Sequence, residues 1–253
     1  NETYVTSFTH DALDRLSSRT DSVGNQYTYA YDSRDNQVLV VDPRGAETRH
    51  VFDGLDRLVR SVRDMDGNGA SSAELPGDGT SPDIVTAQDF DDSSRLISRT
   101  DDNANTTLSF FDPLDRVIRK EMADCTECLY EYDVLDNLES STDANGTVTG
   151  CSYDLLNRLV SRAVTPGPGV APDTLLETFA YDGLSRLVFA QDEDSLVTLS
   201  YDSLSQKTEE IQNGQMITSS YDGVGNRLQC IYPGGRTINC TYDALDRISV
   251  IQD

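Results

Sequence analysis

The residues with the clearest chemical potential are carboxylates. Asp64-Met65-Asp66-Gly67-Asn68-Gly69 sets oxygen ligands at Asp64, Asp66 and Asn68, every second position, with glycine at the sixth. That order suits the opening of a calcium-binding loop, where hard oxygens converge and glycine permits the sharp turn. The residue that would close such a loop is Leu75 rather than Glu, although Glu74 and Asp78 lie nearby. Alternating Asp and Gly also build ordinary solvated turns. Both readings stand, and calcium is the one cofactor the sequence suggests.

A second set of acids recurs along the chain. Asp follows an aromatic residue at Tyr31-Asp32, Phe52-Asp53, Phe90-Asp91, Phe111-Asp112, Tyr132-Asp133, Tyr153-Asp154, Tyr181-Asp182, Tyr201-Asp202, Tyr221-Asp222 and Tyr242-Asp243. His10-Asp11 is the eleventh member, with His in the aromatic position. A catalytic carboxylate pair is one irregular site, whereas these return in every unit. The expected role is therefore turn capping and register. His10 is expected to pack like the aromatics it replaces, and His50, beside Phe52, to be exposed. Neither has a neighbouring Cys or activated Ser, so no nucleophilic site follows. An enzyme is not expected.

The cysteines are Cys125, Cys128, Cys151, Cys230 and Cys240. A single C-x-x-C at Cys125 and Cys128, with no second pair and no nearby His, is a weak zinc signal. Disulfides are the preferred reading for an extracellular chain. Cys230 and Cys240 flank the turn Pro233-Gly234-Gly235-Arg236 and would face each other across a hairpin. Cys128 with Cys151 is a second candidate pair.

The elements that must carry these residues are short and repeated. Successive aromatic positions are 20 or 21 residues apart, except for spacings of 38 and 28, which are 21 with insertions of 17 and 7. The chain thus reads as one array, residues 1–253, of about eleven units with insert loops at 64–80 and 165–173. Three residues after the aromatic stands Leu or Val in nine of the eleven units, and five after it Arg in seven, Arg57 among them. Before the aromatic the residues alternate, as in Tyr27, Tyr29 and Tyr31 against Thr28 and Ala30. A period of two means β-strand, and the Asp, Asn and Gly between strands are turn formers. Each unit therefore predicts two short strands and two turns, with no amphipathic helix anywhere. One unit cannot bury its apolar face alone, so neighbours are expected to stack aromatic over aromatic and Leu over Leu. The Asp should accept backbone N–H groups in its turn, and the Arg should pair with that Asp or one in the next unit. The Pro- and Gly-rich insertion TPGPGVAPD is expected to protrude as a rigid loop.

The tracts HDALDRL, FDGLDRL, FDPLDRV, YDLLNRL and YDALDRI resemble the YD repeat of the Rhs and teneurin families and of the C component of insecticidal Tc toxins. The resemblance covers essentially the whole chain. It departs at the motif's Gly, where Asp, Ser or Asn usually stands here; Asn and Asp tolerate the left-handed conformation that Gly adopts freely. The resemblance implies an all-β fold, with β-hairpins wound into a continuous spiral sheet as a β-solenoid or the wall of a hollow shell around cargo. Larger relatives end in a self-cleaving aspartyl protease motif. Asp42-Pro43-Arg44-Gly45 looks like part of it, but occupies an ordinary turn, and Gln37 stands where the upstream Pro belongs.

Charge narrows the partners. Forty-four acids against 20 bases leave −24, which repels nucleic acid and anionic lipid. No run approaches the ~18 apolar residues of a membrane span, so no membrane insertion is expected. Apolar residues are 37% of the chain, too few for a thick core but enough for a thin one shared between repeats. Eleven residues follow Tyr242 and nine precede His10, so a C-terminus joined to a second N-terminus restores the 21-residue spacing. The expectation is a structural segment of an extracellular or cell-surface assembly. It would be either cut from a longer array or joined to itself head to tail as a fibre. The alternative is an adhesion module that contacts glycan or a cell-surface protein through its insert loops.

Overall fold

The computed structural model describes residues 4–71, 75–77, 82–171 and 174–253. Among them there is no helix, and hence none long and apolar enough to cross a membrane. The chain forms two compact units, Asn1–Glu127 and Cys128–Asp253.

The first unit runs β1 (Ser7–His10), β2 (Leu16–Thr20), β3 (Gln26–Tyr31), β4 (Gln37–Val41), β5 (Glu47–Phe52), β6 (Leu58–Arg63), β7 (Ile84–Phe90), β8 (Leu96–Thr100), β9 (Thr106–Phe111) and β10 (Val117–Glu121). Each strand pairs antiparallel with the next. The second unit repeats the meander through β11 (Glu127–Tyr132), β12 (Leu138–Thr142), β13 (Val148–Tyr153), β14 (Leu159–Thr165), β15 (Leu176–Tyr181) and β16 (Leu187–Gln191). It continues through β17 (Leu196–Tyr201), β18 (Lys207–Gln212), β19 (Gln215–Tyr221), β20 (Arg227–Ile231), β21 (Thr237–Tyr242) and β22 (Ile248–Gln252), again with each strand on its sequence neighbour.

The aromatic–Asp tract makes one kind of turn throughout. At Asp53 the backbone N–H donates to Arg57 O at 3.0 Å, and Asp56 N–H donates to Asp53 O at 3.2 Å. Asp56 has φ 60°. This is the three-residue hairpin loop in which a tight turn ends on a left-handed residue. The left-handed place is the motif's Gly position. It is filled by Asp14, Asp35, Asp56, Ser94, Asp115, Asp136, Asn157, Ser185, Ser205 and Asp246, with φ between 58° and 67°. Directly after the turn the register slips by one: Phe52 pairs with Leu58 but Val51 with Arg60, leaving Val59 as a bulge. The same slip recurs beside each aromatic, as at Ala30/Tyr31 and Ser152/Tyr153, and re-aims the aromatic at the preceding repeat.

Within each unit only neighbouring strands touch, so the sheet is a single layer. Most strand residues are half-buried, and among the described residues Val62, Ala70, Val85 and Cys230 are the only buried apolar ones. Cross-strand pairs and links between repeats must therefore supply most of the stability. The 17-residue insertion contributes to a small core. Its described residues lie against the sheet, where Ala70 O accepts from Arg49 Nε at 2.9 Å and Asp102 O accepts from Gly77 N–H at 3.0 Å. Val62, Ala70 and Val85 cluster beneath it. The second insertion does not protrude freely. Its Gly167 is buried, donates to Thr147 Oγ1 at 3.1 Å, and lies so close to Asn145 that a Cβ would sit 2.1 Å from the Asn145 carbonyl oxygen.

Candidate functional site: a clasp repeated between β-hairpins

Each aromatic–Asp tract forms a clasp that begins with the Asp. Asp53 Oδ1 accepts the N–H groups of Leu55 (2.8 Å) and Arg57 (3.1 Å), and Oδ2 accepts Arg57 Nε (2.7 Å). Asp11 holds Leu13 and Arg15 in the same way. So do Asp112 with Leu114 and Arg116, Asp154 with Leu156 and Arg158, and Asp243 with Leu245 and Arg247. Two of the turn's otherwise orphan donors are satisfied by one oxygen, which is why Asp is needed at that position. The carboxyls of Asp11, Asp53, Asp154, Asp182 and Asp243 lie below the usual carboxylate range. The first cause is the hydrogen bond from the guanidinium four residues on, and the backbone N–H bonds add to it.

At Arg15, Arg57, Arg95, Arg158 and Arg186 the free end of the guanidinium reaches the next repeat. Arg15 Nη1 donates to Asp32 O (3.0 Å) and Asp35 Oδ1 (2.7 Å). Arg57 reaches Asp91 O and Ser94, Arg158 reaches Asp182 O and Ser185, and Arg186 reaches Asp202 O and Ser205. The same guanidinium lies over the ring of the next aromatic. Arg15 covers Tyr31 at 4.8 Å, Arg57 covers Phe90 at 4.8 Å, Arg95 covers Phe111 at 5.0 Å, Arg158 covers Tyr181 at 4.9 Å and Arg186 covers Tyr201 at 4.7 Å. These are cation–π distances. The expected aromatic-over-aromatic stack is thus corrected: an arginine sits over the ring. The ring reaches backward as well. The hydroxyl of Tyr31 donates to Leu16 O, Tyr153 to Leu138 O, Tyr181 to Leu159 O and Tyr242 to Arg227 O, at 3.0 to 3.2 Å.

Where Asn replaces Arg the clasp shortens but still crosses. Asn36 Nδ2 donates to Asp32 Oδ2 and to Asp56 Oδ1 in the next turn. Asn137 links Asp133 to Asn157, and Asn226 links Asp222 to Asp246. Beside Asn36, Arg34 takes up the missing work, with Nη2 to Asp53 O and Nε to Asp56 Oδ1. Arg34 occupies the position that Leu or Val holds in nine units.

That Leu position is a second correction. It was expected to stack inside, yet Leu55 is 65% exposed and Leu156 67%. The residue sits at the tip of the turn, outside the strands, where the sheet's alternation of faces no longer governs it.

The calcium-type loop is held mainly by its own backbone. Asp64 accepts the N–H groups of Gly67 (2.7 Å), Asp66 (3.2 Å) and Gly69 (3.2 Å). Burial alone would raise the Asp64 carboxyl; the Gly67, Gly69 and Asp66 N–H groups outweigh it and hold the group low. Asn68 donates its side-chain amide to Asp66 Oδ2 at 2.8 Å. Asp83 completes the group, with carboxylate oxygens of Asp64, Asp66 and Asp83 within 4.8 Å of one another. Asp64 and Asp83 are buried, and Asp83 Oδ1 accepts Met65 N–H at 2.8 Å. Sequence reading missed Asp83, because only the return of the insertion onto the sheet brings it there. Glu74 and Asp78 lie outside the described residues.

All five cysteines are free thiols. The hairpin register places Cys230 opposite Ile238 and Ile231 opposite Thr237, so Cys240 falls two residues beyond Cys230. Cys128 and Cys151 lie on β11 and β13, with β12 between them. His50 is half-buried rather than exposed. Its Nδ1 is buried without a hydrogen-bond partner, and burial lowers its pKa. His10 is exposed.

Two stretches, residues 10–47 and 132–169, lie one in each unit. Those two stretches match the family model for the RHS Repeat. No curated protein sequence matches the chain. The repeats resemble the TcdB2-TccC3-Cdc42 crystal structure at 13% identity and TM-score 0.72, over 96% of this chain and 14% of that one. They also resemble the Photorhabdus luminescens Tc holotoxin pore at 13% identity and TM-score 0.62, over 97% of this chain and 16% of that one. TcdB2-TccC3 without its hypervariable C-terminal region gives 14% and 0.62, over 97% and 16%. The fold is that of these structures, and the chain spans about a seventh of their length.

Proposed function

We propose that this chain is a structural segment, a stretch of wall in an Rhs-type encapsulating shell at the cell surface or outside the cell. The observation that carries the reading is the clasp. Its Asp is spent on its own turn, its Arg on the next repeat and its Tyr hydroxyl on the preceding one, so the recurring groups serve to join repeats within each unit. The likeness to TcdB2-TccC3 over 96% of this chain supports it. Such a strip needs no cofactor for its own integrity. Its partners are flanking repeats of the same kind, and it makes no demand on nucleic acid or membrane. Head-to-tail polymerisation into a fibre is the second reading, since an unpaired strand edge is a template for another strand. Electron microscopy of the purified chain separates the two. Curved strips or hollow particles are expected; long straight filaments would replace the wall by a fibre.

A further inference from the structure

Ten formally charged residues lie in strands β1 to β10, and they divide unequally between the two faces of the sheet. Directly paired residues share a face, and alternate residues along a strand return to it. Arg19 pairs with Tyr27, and Tyr29 on the same strand leads through Val40 and Thr48 to Arg63. Arg63 pairs with Ile84, and Gln88 on that strand pairs with Arg99. Arg99 pairs with Thr107, and Ser109 on that strand pairs with Lys120. These four cations therefore stand on one face, that of the motif aromatics, and no acid of β1 to β10 stands there with them. The opposite face carries three of each sign, Glu47, Asp89 and Glu121 with Arg49, Arg60 and Arg119. Among the described residues Arg19, Arg63, Arg99 and Lys120 take part in no ion pair, and the three arginines are exposed. Asp21 and Asp101, two places beyond Arg19 and Arg99, are held in their own turns by Asn25 and Asn105. On the aromatic face of the second unit, by contrast, Arg162 is matched by Glu177 and Lys207 by Glu210.

We propose that the aromatic face of the first unit binds an acidic polypeptide segment lying extended across the strands. Charge complementarity carries the choice: in a chain of net charge −24, this face holds four cations and no strand acid to neutralise them. Two strands separate Arg63 from Arg99 and Arg99 from Lys120, about 10 Å across the sheet each time. Three residues of an extended chain span that distance, so carboxylates at every third position meet successive cations. Between the cations Thr86, Gln88, Thr107 and Ser109 share the face and offer hydroxyl and amide groups to the peptide backbone. So sparse a row of cations suits the sparse charge of a peptide better than nucleic acid, whose phosphates recur every few ångströms. At physiological salt charges are screened over about 8 Å. A segment seated between the strand ends therefore feels these cations more strongly than the acids of the turns and the opposite face.

The proposal concerns a face of the sheet and does not depend on whether the strip is wall or fibre. Fluorescence anisotropy of the full chain with an end-labelled peptide of repeated Glu-Gly-Ser tests it, beside the same peptide with glutamine for glutamate. The parent is expected to bind the glutamate peptide alone, and more weakly as salt rises. The triple variant Arg63→Gln, Arg99→Gln, Lys120→Gln should bind about 10-fold more weakly or worse, and Arg99→Gln by itself about 2–5-fold. None of the three makes an ion pair, so the variants should fold, and circular dichroism checks it. Arg44→Gln removes the same charge from an exposed turn and should bind as the parent does. A parent that does not bind, a glutamine peptide that binds equally, or equal losses in Arg99→Gln and Arg44→Gln overturns the proposal. Heparin bound where the peptide is not gives the face to a sulfated glycan, and self-association lost only in the triple variant gives it to a second copy. Either result replaces the acidic peptide.

Discussion

At the residue scale the clasp divides its labour in ways single substitutions can separate. Tyr181 adds to a phenylalanine only its hydroxyl bond to Leu159 O at 3.0 Å. Tyr181→Phe should therefore cost about 1 kcal/mol, read as a lower urea midpoint with the fold unchanged. The left-handed turn position offers the opposite sign. Ala104 sits at φ 63°, a conformation that costs a residue bearing Cβ but not glycine. Ala104→Gly should stabilise by about 0.5–1 kcal/mol in the same assay. The capping carboxyls set the acid limit. Their folded pKa values lie below the 3.8 of a free aspartate. The stability they contribute is present in full above that value and lost as pH falls through the lower folded values. Thermal unfolding should accordingly be flat with pH down to about pH 4 and fall steeply below it. The insertion loop makes a separate prediction. If Asp64, Asp66 and Asp83 hold calcium, added calcium raises Tm by mass action, and Asp83→Asn abolishes the rise. A Tm indifferent to calcium leaves the loop as a hydrogen-bonded turn.

At the element scale, the hairpins were legible because the sequence repeats its own punctuation. Alternation before each aromatic marks a strand, and Asp with Arg four residues on marks the turn. The substitution of the motif's Gly by Asp, Asn or Ser was readable as a left-handed position. The bulge after each turn was not, since one extra residue leaves no trace in a 21-residue period. Leu55 and its equivalents, expected to stack on one another inside, sit instead at the turn tip, where no neighbouring strand covers them. The cysteine hairpin failed by register. Tyr232 N–H bonds Arg236 O, so the strands pair outward from Ile231 and Thr237 and carry Cys240 past Cys230. The insertions were opaque because their partners are distant in sequence. Gly167 rests on Asn145, and Gly167→Ala should destabilise by about 1–3 kcal/mol, as overpacking does. A neutral effect would mean that the loop stands away from the 143–147 turn.

At the scale of the whole molecule, the described residues hold no thick core to dominate stability. Repeat proteins of this kind approximate a sum of unit and nearest-neighbour terms, and here the neighbour term runs through the clasp. Arg186 shows its full form, binding Asp182 in its own repeat and Asp202 O, Ser205 and the Tyr201 ring in the next. Arg247 binds Asp243 in its own turn by the same pair of contacts and is 72% exposed. The comparison of Arg186→Ala with Arg247→Ala in urea unfolding is therefore the most direct measurement of the central claim that each repeat holds the next. Arg186→Ala should lower the midpoint clearly and Arg247→Ala leave it almost unchanged. Equal losses would mean that the arginines merely close their own turns, and the strip would have to be held together by something other than the clasp.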